Sequence, residues 1–332
     1  MMIIGFPHRP PPSGGPGTFQ TRLSKRLEAE GNLLAYPEDR IVPDVILVVG
    51  GTRKIFWLWR MKKKGVRIVH RLDGLNWRHR KMGCHWTHYL KSEFRNWLMT
   101  IIRNRLADEV VYQSEFIKKW WHEEHGSSGC EEHIIWNGTD LSLFAPKRNK
   151  LDGIVRLICV EGTVQGDDIT LGILTTVTQA LVEKGLIAET VVYGEYDEAT
   201  KYKLRNFECI KLMGRIGRDQ MPEAFQNGDI YFALELNPPC PNSVVEALSS
   251  GLPVIGYDTG ALGELVAGRA GKIVPYSASP WDLEMPASDK LIAEAEILIA
   301  NLSDYSRAAR ELAIERYGDE KMHQKYMSIL KD

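Results

Sequence analysis

Residues 44–50 read Asp-Val-Ile-Leu-Val-Val-Gly and run straight into a second glycine, Gly51. A short stretch that is apolar at nearly every position, and not at alternate ones, is buried on both faces. A strand meets that condition inside a parallel sheet covered by helices on both sides. Val66–His70, Glu109–Gln113 and Ile134–Trp136 have the same character, and Met2–Phe6 is a shorter version that ends in the turn-rich loop Pro7–Gly17. The intervals carry helical spacing. Phe19, Leu23 and Leu27 recur every fourth residue before Gly31, and Thr87–Ala107 forms a longer helical stretch. Strand and helix in alternation predict a parallel sheet with crossover helices.

The second half repeats the alternation. Strands are expected at Val155–Val160, Glu189–Tyr193, Cys209–Leu212, Ile230–Ala233 and Pro253–Tyr257. Helices are expected at Leu171–Lys184, Glu198–Phe207, Met221–Asn227 and Ser243–Ser250, with two closing helices at Asp289–Tyr317 and Asp319–Lys331. The polar stretch Ala145–Gly153, with its Pro and Gly, is where one unit gives way to the next. A chain of 332 residues suits two α/β domains, and 44% hydrophobic residues suffice for two cores. The expected division is a first domain 1–148, a second domain 149–305, and a terminal helix in 306–332 that returns toward the first domain.

Five scattered cysteines, odd in number and without a Cys-x-x-Cys pair, argue against a disulfide framework and a structural zinc site. His70, His79, His85 and His88, with Cys84, have no recognised zinc spacing, so no metal is expected. The first residues lack a basic region followed by a long apolar one, and no apolar stretch nears the roughly 20 residues of a membrane-spanning helix. Asn137-Gly-Thr and Asn301-Leu-Ser match glycosylation sequons that a cytosolic chain would not use. The expectation is a cytoplasmic protein.

Asp229–Val266 reads as strand, loop, helix, tight turn, strand, Gly-containing loop and helix. Asn242 or Ser243 is expected to cap the first of these helices. Its N-terminus offers free N–H groups and the positive end of a dipole, a ready site for phosphate. Glu246, about one turn further, can accept hydrogen bonds from a ribose diol. Gly260 lets backbone approach a ligand closely. An ordinary βαβ unit with a solvated Glu246 explains the same pattern.

This segment resembles the donor-binding signature of glycosyltransferase family 4. Glu246-Ala247, Gly251-Leu252-Pro253-Val254-Ile255, Asp258-Thr259-Gly260 and Glu264-Leu265-Val266 match it. Further matches follow in family order: Gly14-Gly15 after the first strand, Gln113-Ser114-Glu115-Phe116, Asn137-Gly138-Thr139-Asp140 with Phe144, and Gly214–Arg218 followed by Pro222 and Asp229. The resemblance implies an α/β chain of GT-B type, with two Rossmann-like doubly wound parallel-sheet domains facing across a cleft. It implies nucleotide-sugar contacts at Gly14, Gly15, Gly162, Thr163, Gly214, Arg215, Arg218, Asn242, Ser243, Glu246 and Gly260, with Asp73 and Arg71 as the catalytic pair.

Three departures from the family pattern stand out. Pro238 occupies the position of a Glu that helps hold the donor sugar. Val160–Asp168 lacks the Arg and Lys that grip the diphosphate; Gly162, Thr163 and Gln165 offer neutral donors, while Glu161, Asp167 and Asp168 oppose phosphate. Asp73 stands where the family often has a His. Arg215, Arg218 or Arg71 could supply the missing charge, since one guanidinium grips phosphate bidentately.

The net charge of −1 conceals an asymmetry. Arg53–Arg105 holds fifteen Lys or Arg against two acids, Asp73 and Glu93, whereas Leu151–Asp332 holds seventeen basic and twenty-eight acidic residues. Trp57, Trp59, Trp77, Trp86 and Trp97 are interleaved with the cations. Lys and Arg mixed with Trp suit the headgroup layer of an anionic membrane. Stacking on nucleic acid would use the same residue types, as would a solvated helix face over core tryptophans; of these the membrane is preferred and no nucleic-acid partner is expected.

The expected function is a retaining, metal-independent glycosyltransferase. It would move a sugar from a UDP- or GDP-sugar to a glycan or lipid-linked acceptor in cell-envelope polysaccharide or glycoconjugate synthesis, on the inner face of the membrane. No cofactor is expected, and the chain has no Asp-x-Asp, the usual metal anchor of nucleotide-sugar enzymes of the other major fold. Two alternatives stay open: an impaired GT-B protein acting as a binding or partner subunit, and a GT-B-type nucleotide-sugar epimerase. A nicotinamide dehydrogenase is disfavoured, because Gly14-Gly15-Pro16-Gly17 has the wrong spacing and a Pro that removes a phosphate-facing N–H.

Overall fold

The computed structural model describes residues 1–11, 14–146, 154–164 and 167–331. It divides into two compact units, Met1–Asn137 together with the chain from Glu320 onward, and Gly138–Asp319. The expected division at 148/149 and Gln165 lie outside the described residues.

The first unit contains β1 (Ile3–Gly5), α1 (Gly15–Ala29), β2 (Leu33–Ala35), β3 (Val45–Val49), α2 (Ile55–Lys63), β4 (Arg67–Leu72), α3 (Trp86–Ile101), β5 (Glu109–Tyr112), α4 (Glu115–His125) and β6 (Glu131–Ile134). Its strands are all parallel, in the order β2-β1-β3-β4-β5-β6. The five residues of β3 are buried at every position, as a strand covered on both faces requires. Gly14 turns the chain into α1 at φ +86°, and Pro16 in the first turn presets the helical φ.

The second unit contains β7 (Arg156–Thr163), α5 (Asp168–Glu183), β8 (Glu189–Glu195), α6 (Glu198–Leu204), β9 (Ile210–Gly214), α7 (Met221–Gln226), β10 (Ile230–Ala233), α8 (Asn242–Ser249), β11 (Val254–Asp258), α9 (Leu262–Val266), β12 (Gly271–Pro275), α10 (Asp289–Ala300) and α11 (Leu302–Arg316). Its parallel sheet has the order β12-β11-β10-β7-β8-β9. Leu157, Cys159, Ile230, Phe232 and Ile255 from the sheet pack with Leu174, Val177, Leu181, Leu291, Ala295 and Leu298 from α5 and α10.

The closing helix α12 (Asp319–Lys331) completes the core of the first unit. Tyr326 packs on Phe19 with ring centroids 5.1 Å apart, and Met322, Met327, Ile329 and Leu330 join Leu23 and Leu27. His323 Nε2 meets Glu30 Oε1 at 2.7 Å, and Arg67 Nη2 donates to the Ile329 carbonyl at 2.6 Å.

Two expectations about elements are corrected. Asp289–Tyr317 is two helices, because Asn301 leaves the helical region at φ −121° and its side-chain Nδ2 donates back to the Ile297 carbonyl at 2.9 Å. The strand expected at Ile134–Trp136 lies earlier, at Glu131–Ile134. An edge strand tolerates charged side chains, and Glu132 is satisfied there by the Tyr112 and Ser128 hydroxyls and by His122.

Candidate functional site

In the second unit the chain passes from β7 outward to β8 and β9, then crosses back to lay β10 on the other side of β7. Neighbouring strands β7 and β10 therefore send their connections in opposite directions. That reversal opens a crevice at their carboxyl ends, where open α/β sheets bind ligands. Gly162 and Thr163 are the last two residues of β7, on the strand and not in the following loop, and α8 begins nine residues after Ala233 ends β10. Tyr231 ties the two edges of the crevice together. Its hydroxyl lies 3.1 Å from the Val160 carbonyl on β7 and 2.9 Å from the Ser243 hydroxyl on α8. Its single proton satisfies the carbonyl, so the Ser243 hydroxyl must supply the proton between the two oxygens. Burial pushes the Tyr231 phenol far above its ordinary range, so the phenol stays neutral.

The cap of α8 differs from expectation. The N-cap is Pro241, and neither Asn242 nor Ser243 caps the helix, because both already lie in its first turn and Ser243 faces Tyr231. No side chain caps the N-terminus and no acid sits in the first turn. At α5 the opposite holds. Asp167 accepts from the Thr170 N–H at 2.8 Å, and Asp168 in the first turn pairs with Lys203 at 2.9 Å. The dipole of α5 is thus answered by its own carboxylates, and that of α8 is not. Glu246 is buried, at 6% exposure, which disposes of the solvated reading.

Gly260 takes φ +60°, and a Cβ there would stand 2.4 Å from the Pro238 nitrogen. Its need for glycine thus comes from the Asn237–Pro238 backbone, which also receives the Ala261 N–H on the Pro238 carbonyl at 2.9 Å. Asn237 itself adopts φ +53°, and its buried Nδ2 has no hydrogen-bond partner among the described residues. Gly214 ends the edge strand β9 at φ +74°, separated from β10 by β7 and β8. Arg215 beside it pairs with Glu195 at 2.7 Å in the open, and Arg218 lies in the loop that leads to α7.

The first unit has its own reversal between β1 and β3. Gly14 and Gly15 open α1 just beyond it, again with no side-chain cap and no acid in the first turn. Asp73 and Arg71 belong to a closed ring of four side chains. Arg71 Nη1 donates to Asp73 Oδ1 at 2.7 Å, and Gln113 Nε2 donates to the same oxygen at 2.6 Å. Asn137 Nδ2 donates to Gln113 Oε1 at 3.2 Å, and Arg71 Nη2 closes the ring on Asn137 Oδ1 at 2.8 Å. The Phe19 ring covers the guanidinium at 3.9 Å. Arg71 is therefore committed inside its own unit. Gln113 and Asn137 were legible as motif residues but not as partners of this pair. Next to it, His70 is wholly buried and donates from Nε2 to the Gly50 carbonyl at 2.8 Å. Burial lowers its pKa to about 4.

Among the described residues, Glu109, Glu131 and His133 group as metal-type ligands on β5 and β6, but Glu109 and Glu131 begin those strands, and Arg67 already pairs with Glu109.

Residues 162–284 match the family model described as glycosyl transferases group 1. No curated protein matches the sequence. Among solved structures, sucrose-phosphate synthase from Thermosynechococcus elongatus superposes with a TM-score of 0.76 at 15% identity, covering 99% of this chain and 98% of that one. HepE from Anabaena, in complex with UDP-glucose, gives 0.72 at 16% identity over 100% of both chains. A glycosyltransferase from Rickettsia africae gives 0.65 at 16% identity over 99% of this chain and 98% of that one. The chain thus carries the two-sheet α/β fold of the GT-B glycosyltransferases, and residues 162–284 match the group 1 glycosyltransferase family by sequence.

Proposed function

We propose that the protein is a glycosyltransferase that takes its sugar from a nucleotide-sugar donor bound by the second unit. The observation that carries this reading is the α8 N-terminus, uncapped by any side chain and opening at the β7–β10 reversal with Glu246 buried one turn further in. A diphosphate at the first turn of α8 would gain the dipole and the free N–H groups, and more so as negative charge builds on the leaving group. Glu246 would take the ribose hydroxyls. A UDP-sugar is the preferred donor, and the complex of HepE with UDP-glucose supports that choice.

Transfer is proposed to retain anomeric configuration and to need no metal, with helix dipole and N–H groups neutralising the leaving diphosphate. Asp73, held by Arg71, is assigned the uptake of positive charge developing at an anomeric carbon. The acceptor is a glycan or lipid-linked glycan, met by a protein that works in the cytoplasm at the membrane face. A binding subunit without turnover is the second reading, favoured by the closed ring around Asp73 and the absence of Arg or Lys at the end of β7.

A thermal-shift screen of UDP-, GDP-, ADP- and TDP-sugars tests donor binding, since a ligand that binds only the folded state raises its melting point. Release of UDP from the sugar that shifts most then separates the two readings. A shift without UDP release assigns the binding subunit, and no shift with any of the four overturns both.

A further inference from the structure

The segment richest in cations also carries an apolar face that nothing in the first unit covers. On α3, Trp86 is 66% exposed, Leu90 56%, Phe94 43% and Trp97 55%. At 3.6 residues per turn these four fall within an arc of about 80° and form a stripe of about 16 Å. The helix is anchored by its other face, where Ser92, Asn96 and Met99 are buried and Asn96 Oδ1 accepts from the Asn76 N–H at 2.9 Å. Phe94 and Trp97 stack on each other at 5.6 Å. Phe56 on α2, 72% exposed, stacks on Trp59 at 5.7 Å. Arg53, just before α2, lies 6.0 Å from the Phe94 ring, so the start of α2 adjoins the α3 stripe.

Cations flank this aromatic surface on both helices, Arg53 near Phe94 and Lys63 over Trp59, though fewer are unpaired than the sequence count suggests. Lys62 pairs with Asp108 at 2.8 Å, and Arg80 pairs with Glu93 at 2.6 Å. The hydrogen bond from Arg80 holds the Glu93 carboxyl down at about 2, so that pair remains ionic at any physiological pH. Arg53, Lys54, Lys63, Lys64, Lys91 and Arg95 are exposed and, among the described residues, form no ion pair.

We propose that this face docks on an anionic phospholipid bilayer. In this arrangement α3 lies in the plane of the surface, Trp86, Leu90, Phe94 and Trp97 enter the boundary between headgroups and acyl chains, and the unpaired cations stand over lipid phosphates. Amphipathic aromatics favour that boundary because one edge is apolar and the other wet. Each cation near the surface adds attraction that decays within a Debye length. A protein partner would be expected to bury the stripe without needing cations on both helices. The proposal deepens the lipid-linked acceptor of the functional reading and rests on that part of it, not on its donor chemistry.

The test is co-sedimentation of the full chain with vesicles of phosphatidylcholine, alone or mixed with phosphatidylglycerol. Wild type is expected to sediment with the mixed vesicles at low salt and to stay in solution with phosphatidylcholine alone. Trp86→Ser with Trp97→Ser is expected to lower the bound fraction's partition constant roughly tenfold or more. Arg53→Glu with Arg95→Glu is expected to abolish the preference for anionic lipid. Both double variants change exposed side chains, so their melting temperatures and their UDP-sugar shifts should match wild type. Vesicle binding without any nucleotide shift supports the docking surface while failing the donor reading. The proposal is overturned if wild type ignores the anionic vesicles, or if the tryptophan variant binds them as wild type does. It is also overturned if the stripe mediates a dimer in solution, lost in that variant, with no vesicle binding.

Discussion

Arg71 and Asp73 are joined by a 2.7 Å hydrogen bond across the end of β4, and they are unequal partners: the arginine side chain is 1% exposed and the aspartate 22%. The buried guanidinium has no other carboxylate in its ring; Gln113 and Asn137 are neutral. Asp73 is thus required by Arg71 whatever else it does. Its second carboxylate oxygen faces Gly50, where a Cβ would stand 2.7 Å away, so that glycine keeps room for it.

Asp73→Asn should therefore destabilise the fold as well as reduce turnover. A buried charge left without its partner costs about 3 kcal/mol. Urea unfolding should show that loss, and Arg71→Leu combined with Asp73→Asn should recover part of it, because the orphaned charge is gone. If Asp73→Asn unfolds at the wild-type urea concentration, the ring does not depend on the carboxylate.

His70 gives a pH signature to the same region. Folded, its pKa is about 4, chiefly because burial disfavours the cation. Its Nε2 serves the Gly50 carbonyl, and its buried Nδ1 has no partner for a second proton among the described residues. Unfolded, the imidazole returns to about 6.5. Between those values the unfolded chain binds more protons, so this contribution is complete above the unfolded pKa and falls away as pH drops toward the folded one. The loss is on the order of 3 kcal/mol by pH 4. Denaturant unfolding across this range should fall more steeply for wild type than for His70→Gln; parallel curves would show that His70 is not neutral in the fold.

The sequence made central strands and long helices legible because burial on both faces leaves an unbroken apolar run. Val45–Val49 and Ile230–Ala233 were found that way. Of the four edge strands among the described residues only Ile210–Gly214 was, overlapping the expectation at Cys209–Leu212. Leu33–Ala35 and Gly271–Pro275 were missed, and Glu131–Ile134 was misplaced, since a strand paired on one side needs neither length nor an apolar pattern. At the site, single residues marked by motif were legible, while their partners were not. Tyr231 within Ile-Tyr-Phe-Ala and His70 within Val-His-Arg are polar groups inside apolar strands, and that interruption was the available signal. Which side chain each one meets depends on strand order, which no local pattern encodes.

Glu246→Ala should weaken binding of the preferred nucleotide by about 1.5–3 kcal/mol, the range for a hydrogen bond to a charged group. Calorimetry with UDP reads this directly. Affinity equal to wild type would remove Glu246 from the ribose.

Transfer should survive excess EDTA. The diphosphate is assigned to the α8 N-terminus, where neutralisation comes from N–H groups and the dipole. UDP release that stops in EDTA and returns with manganese would show that the leaving group is held by a metal instead.

Gly260 and Gly214 share a left-handed backbone but not a setting, and this difference makes a paired test. At φ +60°, a Cβ on Gly260 would lie 2.4 Å from the Pro238 nitrogen and 2.5 Å from the Asn237 carbonyl carbon, both backbone atoms that cannot swing aside. At φ +74°, a Cβ on Gly214 would meet nothing within 4 Å. Gly214→Ala should then cost only the backbone strain of a non-glycine residue, about 1–2 kcal/mol. Gly260→Ala should cost that strain plus displacement of the Asn237–Pro238 turn, about 3 kcal/mol or more in all. The displacement also has a functional side. The turn leads into Pro241 and the uncapped start of α8, so Gly260→Ala should weaken UDP binding while Gly214→Ala leaves it closer to wild type. Urea unfolding and UDP titration of the two variants measure both effects. Equal stability losses would mean that the contact with Pro238 relaxes freely. A Gly260→Ala protein that is destabilised yet binds UDP normally would separate the turn from the phosphate site.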